Sequence, residues 1–291
     1  MNEILSLNKL AFTLGISRKI LEDVSENKSK YYRPYTKKEL KLDGTIKLRV
    51  IENPSKAIRQ IQKIINRKIL RGAVNELPDY MTGSIKNRSI KENAFPHISQ
   101  PALLAIDISN CFPSISSSEV YKLFRGQFGC SPSVAKVLTK LTTYGNRLPQ
   151  GAPTSPSLCN LILAPMSKDL FEIARKNAAH FTQYVDDLTF SGSVESLNII
   201  KPQAIHLIQM NGFKVNVKKL KMLRSNQRMA ITGLVVNKGL SVGRRYIREV
   251  QRDILRNRSS ATVNGKIAFI QLVNRRRARR LRRKFDSKER A

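Results

Sequence analysis

Two apolar runs in this chain carry carboxylates at their tips. ALLAIDI at 102–108 bears Asp107, and FTQYVDDLTFSG at 181–192 bears the adjacent pair Asp186 and Asp187. A short apolar run closing on one acidic residue reads as a buried strand, hidden on both faces, that delivers its last side chain to an opening. The second segment reads as two short strands around an acidic turn, because β-branched and aromatic residues flank the pair. Three carboxylates gathered at the end of a sheet repel one another and hold raised pKa values unless cations face them.

Cations are what the chain has in excess. It holds 53 Lys+Arg against 21 Asp+Glu over 291 residues, a formal charge of +32. Such a charge excludes an ordinary neutral metabolic enzyme and calls for a polyanion. Nucleic acid is the commonest such partner, with an anionic membrane surface as the competitor. No stretch reaches the ~20 apolar residues of a spanning helix. Glu3 stands where a signal peptide would be basic. A soluble, cytoplasmic protein without membrane contact is therefore expected. With 41% hydrophobic residues the chain can bury a core, as one large domain or two closely packed ones. Cys111, Cys130 and Cys159 lack metal-ligand spacing, suit a reducing compartment and read as packing residues.

Periodicity supplies the rest of the organisation. Residues 1–30 predict two short helices as an N-terminal cap. Asp43-Gly44, between KELKL and TIKLRVI, predicts a hairpin. Apolar residues from Ile58 to Leu70 recur at three and four, which predicts an amphipathic helix over 55–71. The segment 78–99 reads as a loop. Helices are expected over 116–127, over 131–144 with Ser131-Pro132 at its start, after the loop LPQGAPTSP (148–156), and over 195–211. A basic strand region at 213–224 and a strand ITGLVV at 231–236 follow. Residues 238–291 then hold 18 Lys+Arg against 4 Asp+Glu. Arg244, Arg245, Arg248, Arg252 and Arg256 predict a basic stripe on a helix, and RRRARRLRRK at 275–284 is denser still. Charge of that density binds phosphates without reading sequence, so a duplex or structured RNA is its expected contact.

Hard divalent cations suit the three carboxylates best. Magnesium takes oxygen ligands from one or two carboxylates plus substrate phosphates. Two such ions about 3.5–4 Å apart activate an attacking hydroxyl and stabilise the leaving oxygen of an in-line displacement. An isolated Asp-Asp pair is more often a plain polar turn, and a lone Asp107 a helix cap. The charge and the neighbouring segments favour nucleotidyl transfer instead.

Those segments resemble the reverse transcriptases, and specifically the bacterial retron group. Asp107-Ile-Ser-Asn-Cys-Phe112 matches that family's catalytic strand with its following aromatic. Leu148-Pro-Gln-Gly151 matches its LPQG block, and Tyr184-Val-Asp-Asp187 its YxDD box. Asn93-Ala-Phe-Pro-His97 fits a retron NAxxH pattern, and Ile231-Thr-Gly233 is close to the group's VTG. The match covers roughly residues 30–250 with the blocks in family order. It departs at Val185, where alanine is common, and at Ile231.

The resemblance implies an α+β right-hand polymerase. Its parts would be an N-terminal helical cap (1–30), fingers and a palm built on a small antiparallel sheet (31–240), and a basic helical thumb and tail (241–291). Asp107, Asp186 and Asp187 would be catalytic and, with the Ile108 carbonyl, hold two Mg2+ ions. Phe112 would crowd the sugar 2′ position. Gln150, Arg49 and Lys47 would line the incoming deoxynucleoside triphosphate. Asn93, His97, Thr232, Gly233, Arg244, Arg245, Arg248 and Arg252 would contact RNA, with structural bonding as the alternative for His97. The implied activity is RNA-directed DNA synthesis from a guanosine 2′-hydroxyl of a structured noncoding RNA, giving branched RNA-linked DNA (msDNA). Antiphage defence with a separate effector protein is implied too, since no nuclease or NAD-processing motif is found in these residues. The rival readings are a group II intron-like or abortive-infection reverse transcriptase and a noncatalytic basic RNA-binding protein. The last gives no reason for Asp107, Gln150 and Asp186-Asp187 in this order.

Overall fold

Serine caps begin the chain's first elements in a computed structural model that describes residues 4–40, 46–256 and 258–289. Ser6 and Ser17 accept the Lys9 and Ile20 N–H groups and start helices α1 (Leu7–Leu14) and α2 (Arg18–Glu26), each satisfying an orphan donor. Both send leucines into one cluster with Ile58 and Ile65. Strands β1 (Tyr32–Leu40) and β2 (Ile46–Pro54) pair antiparallel, Tyr32 opposite Pro54. The Asp43-Gly44 turn lies outside the described residues. Helix α3 (Lys56–Ile65) passes through a π turn at Asn66–Leu70 into α4 (Arg71–Asn75). The helix expected over 55–71 is thus real, longer by a turn and locally widened. The 78–99 segment is not all loop. It holds α5 (Ile90–Ala94), started by a Ser89–Glu92 capping box, and a 3-10 turn at Phe95–His97. Both are too short to leave a periodic signature.

The main sheet forms around β3 (Ala102–Asp107). Helices α6 (Cys111–Ser114), α7 (Ser117–Gly126), α8 (Pro132–Thr142) and α9 (Ser155–Lys176) follow, then β4 (His180–Tyr184), β5 (Asp187–Gly192), α10 (Val194–Met210) and β6 (Lys221–Arg224). The sheet order is β4-β5-β3-β6, with every pairing antiparallel. Helices α9 and α10 pack against it. Strand β3 is central and buried on both faces, which is why it reads as a continuous apolar run.

The ITGLVV segment is not one strand. Thr232 (φ 45°) and Gly233 (φ 90°) turn it into a hairpin between β7 (Ala230–Ile231) and β8 (Leu234–Val235). Positive φ at both central residues is the type I′ pattern that matches strand twist. With β9 (Ser241–Val242) these strands lie under helices α11 (Arg244–Leu255), α12 (Ser260–Gln271) and α13 (Arg275–Glu289). The described residues form two hydrophobic clusters, and β3 serves both. Its Leu104 and Ile106 belong to the larger one, while Leu103 packs in the C-terminal one with Ile231, Val250 and Ile267. Among the described residues no helix is long and apolar enough to cross a membrane.

Candidate active site

Strand register assembles the carboxylates. Asp107 at the end of β3 stands opposite Asp187 at the start of β5, and Tyr184 of β4 also faces Asp187. Val185 and Asp186 therefore form the two-residue turn between β4 and β5. The Ile108 N–H donates to the Asp186 carbonyl at 3.1 Å, tying the turn to β3. Asp107 is buried, and one cation and one amide engage its carboxylate. Lys219 Nζ donates to one oxygen and Asn216 Nδ2 to the other at 3.1 Å, while the Asn216 N–H takes the Asp107 carbonyl at 2.8 Å. Burial and then the charge of Asp107 raise the Asp186 carboxyl above its ordinary range, against the pull of Lys219 and Arg49. Desolvation at the strand ends, followed by the charges of Asp186 and Asp107, pushes Asp187 up to about 6. Even with two cations facing it the site lacks positive charge. Among the described residues no three His, Cys, Asp or Glu are drawn together as a finished metal cage.

The turn is under backbone strain. Val185 is buried with φ 58°, and Asp186 next to it has no positive φ. Glycine ordinarily fills that first position, and a β-branched residue there is an outlier. Two residues the sequence did not single out hold it. Gln183, fully buried, donates its side-chain amide to the Val185 carbonyl at 2.7 Å. Gly83 presses so close that a methyl there would meet the Val185 nitrogen at 2.5 Å and the Tyr184 carbonyl carbon at 2.8 Å. Because those contacts are backbone, Gly83→Ala must displace the turn. It is expected to lower turnover while leaving RNA affinity unchanged, as read by single-turnover extension beside a filter-binding titration.

The other expected residues distribute unevenly. Arg49, on β2, acts on Asp186 with its charge. Lys47 lies on the same strand, with its side chain outside the described residues. Phe112 sits half-buried on α6, just after left-handed Asn110 (φ 48°). Gln150 is fixed by its backbone: its carbonyl accepts from the Glu52 N–H at 2.8 Å, and its N–H donates to the Glu52 carboxylate at 3.2 Å. Glu52, buried and ion-paired to Arg147 at 2.9 Å, is the unforeseen anchor between β2 and the 148–156 loop. Gly151 has φ 122° and lies against Ile51, where a Cβ would come within 3.1 Å.

The expected RNA contacts of Asn93 and His97 need correcting, because both side chains are interior. His97 Nε2 lies 2.8 Å from Thr182 Oγ1 and Nδ1 lies 2.6 Å from Ser191 Oγ. Thr182 gives its own proton to the Asn93 carbonyl at 3.1 Å, so it must accept from Nε2–H, and Ser191 donates to Nδ1. Burial then holds His97 neutral, its pKa down to about 3, with His180 nearby adding to the effect. Asn93 Oδ1 accepts from Thr82 at 2.9 Å. These two polar residues staple the 80–97 segment to β4 and β5, the structural alternative anticipated for His97.

Thr232 and Gly233 form the β7–β8 turn, with Gly233 against Phe269. Arg244, Arg245, Arg248 and Arg252 are exposed along α11, whose acidic residues Glu249 and Asp253 are both taken by Lys266. Helix α13 buries Ala278, Leu281 and Phe285 and exposes arginines on either side. Deleting it would strip the C-terminal core, so Arg276, Arg279, Arg280 and Arg283 changed together to Gln give the cleaner test. Each lost phosphate contact flattens the log affinity versus log salt slope by roughly 0.7–0.9, so RNA binding should flatten by about 3. An unchanged slope would make the helix a solvated bystander.

A small antiparallel sheet with helices packed on it, carrying paired aspartates on a hairpin beside a third on the central strand, is the palm of a right-hand polymerase. Residues 35–236 match the model of the reverse transcriptase (RNA-dependent DNA polymerase) family. The chain belongs to that family, in its bacterial retron branch. It is 32% identical over 257 residues to the retron Ec86 reverse transcriptase of Escherichia coli, covering 86% of this chain and 79% of that protein. It is 28% identical over 256 residues to the retron Se72 reverse transcriptase of Salmonella heidelberg (strain 579083-10), covering 84% of this chain. The chain spans 66% of that relative's length. In fold it is similar to a solved telomerase from Candida albicans in complex with a fragment of telomeric RNA, with a TM-score of 0.54 and 13% identity over 94% of this chain and 59% of the telomerase.

Proposed function

We propose that the chain is an RNA-directed DNA polymerase that copies part of a structured retron noncoding RNA into branched RNA-linked single-stranded DNA, starting from a guanosine 2′-hydroxyl. The observation that carries the reading is the meeting of Asp107, Asp186 and Asp187 at one sheet end, electrostatically short of positive charge. Hard oxygen donors in such a deficit fit divalent cations. Asp107, Asp186 and Asp187, with the Ile108 carbonyl, would hold two Mg2+ ions. When bound, these supply Lewis-acid activation of the attacking hydroxyl and charge neutralisation at the leaving phosphate.

The chain's own groups would do the rest. Arg49, whose charge is felt at Asp186 from β2, would be a bidentate partner for a triphosphate, Lys47 is proposed for the same phosphates, and Gln150 stands on the loop that Glu52 anchors. Thr232, Gly233 and the α11 arginines would take the RNA. The division into a cap, fingers with palm, and thumb follows this reading, as do a separate effector protein and a part in antiphage defence. Phe112 would face the 2′ position of the incoming sugar, so Phe112→Ala should raise ribonucleotide over deoxynucleotide incorporation. An unchanged ratio of the two specificity constants would make Phe112 a packing residue only.

The deciding experiment purifies the protein from cells carrying its native locus. RNA and short single-stranded DNA should come down together, and ribonuclease should leave a ribonucleotide on the DNA 5′ end that a debranching enzyme removes. Asp107→Asn should retain the RNA and carry no DNA. Linear DNA with an ordinary 3′-primed junction would refute the branched-product reading and point to another reverse transcriptase class.

A further inference from the structure

We infer that two adjoining clefts away from the carboxylates form a track for a single-stranded stretch of nucleic acid, a proposal that rests on the polymerase reading for its biological setting but not for its test. The first cleft, about 610 Å³, runs along the widened helix and is lined by Lys63, Arg67, Arg71 and Lys86, with no carboxylate among its lining residues. All four cations are exposed, and none is ion-paired among the described residues. The π turn that carries Arg67 is pinned from the α9 side. Asn66 donates to the Pro153 carbonyl at 3.3 Å and accepts from Ser157 at 2.7 Å. Single π turns in α-helices concentrate at functional sites.

Asn75 and Lys86 line this cleft and also a larger one of about 1230 Å³, so the two lie side by side and share these residues. The lining now changes character, with Tyr80, Phe95, Phe171 and Phe181 joined by Lys91. Tyr80 and Phe171 stack at 4.5 Å, and the Phe95 ring is 64% exposed. The inward-facing Asn93 and His97 explain that exposure, because by locking both flanks of the segment they turn Phe95 outward. The acidic residues here are already engaged. Asp79 pairs with Arg88, and Glu92 is held in the capping box of Ser89. Arg88 is spent on the carbonyls of Leu77, Pro78 and Met81, so it belongs to the frame.

Unpaired cations leading to one exposed ring, Phe95, with the half-buried Tyr80 and Phe171 stack lining the same cleft, are the pattern that takes unpaired nucleic acid, with phosphates on the cations and a base on the open ring. A duplex keeps its base faces stacked inside and offers that ring nothing. An acid-free cationic cleft equally disfavours an apolar protein segment. Neither cleft is lined by Asp107, Asp186 or Asp187, so the track is separate from the candidate active site.

The chain has no tryptophan but eight tyrosines, so Phe95→Trp places a single indole on the track, excited selectively at wavelengths where tyrosine does not absorb. The probes are oligo-uridylate and oligo-thymidylate about 15 nucleotides long, within the ~4–16 nucleotide range of single-strand grooves. Either should quench the introduced indole saturably, and which one quenches at lower concentration identifies RNA or DNA as the occupant. A control variant, Phe12→Trp, puts the same fluorophore on an exposed position of α1 (80% exposed) and should stay unquenched. Phe95→Ala should weaken binding roughly tenfold, and Lys63→Gln, Arg67→Gln and Arg71→Gln together should flatten the salt slope by about 2. Quenching in the Phe95→Trp protein no greater than in the Phe12→Trp control, equal quenching by the matching duplex, or an unaltered slope in the triple variant would each overturn the proposal. Primer extension by the wild-type protein is scored separately. Extension without quenching refutes the track alone, and quenching without extension refutes the polymerase reading alone.

Discussion

Asp186→Asn should abolish DNA synthesis while leaving a folded protein that still binds RNA. The substitution keeps the volume and removes one charge from the group that would hold the metal ions. Loss of a single preorganised electrostatic contact at a reacting centre costs about 100- to 1000-fold, and a metal ligand should exceed the upper figure. Stability should move the other way when no metal is added. The fold raises the Asp186 pKa, so the ionised carboxylate is destabilising at neutral pH, and neutral Asn relieves it. The advantage should fade as pH falls past the raised pKa, where the wild-type carboxyl takes up its own proton. Primer extension, filter binding and a pH series of thermal melts in chelator read the three effects. Robust extension by the variant would sink the polymerase assignment.

The second large effect concerns the buried staple. His97→Ala leaves the Thr182 and Ser191 hydroxyls without their partner and opens a hole between the 80–97 segment and the palm sheet. Unsatisfied buried polar groups and a cavity together make this about 3–5 kcal/mol. The pH dependence separates it from ordinary packing loss. His97 is neutral when folded, with a pKa of about 3, and titrates at its ordinary value of 6.5 when unfolded. The unfolded chain therefore binds the extra proton between these values, and wild-type stability from this residue falls as pH drops below about 6.5. The penalty of His97→Ala should accordingly shrink by about 2–3 kcal/mol between pH 7 and pH 4.5, each pH unit in that window being worth at most about 1.4 kcal/mol. A penalty that stays constant with pH would show that His97 is not held neutral by the fold.

What the sequence made legible was local. β3 announced itself because both its faces are buried, and the β4–β5 hairpin because its turn interrupts β-branched and aromatic residues with two acids. The retron blocks added the fold, and their order gave the register of chemistry along the chain. What stayed hidden depends on contacts across long separations. Lys219 meets Asp107 over 112 positions and Arg147 meets Glu52 over 95, and nothing in KKLKM or IENP distinguishes those residues from their neighbours. Gln183 was invisible for another reason, since its amide serves a backbone carbonyl two residues on rather than a partner a motif could name. The NAFPH segment misled in a specific way. Its polar residues suggest exposure, yet they are the buried part, and the phenylalanine between them is the exposed one. Thr232-Gly233 looked like strand interior because Ile231 and Leu234 flank it, though glycine after a residue that tolerates positive φ is a hairpin signal.

Strand β3 also sets how the two halves of the molecule answer to each other. Alternate residues of one strand point to opposite faces, and here the faces belong to different cores, Leu104 and Ile106 to one and Leu103 to the other. The strand is a party wall, and the C-terminal helices lean on the very plank whose end carries Asp107. The strand end that presents Asp107 is therefore seated from both sides, and a substitution that empties either core removes one of the two supports under it.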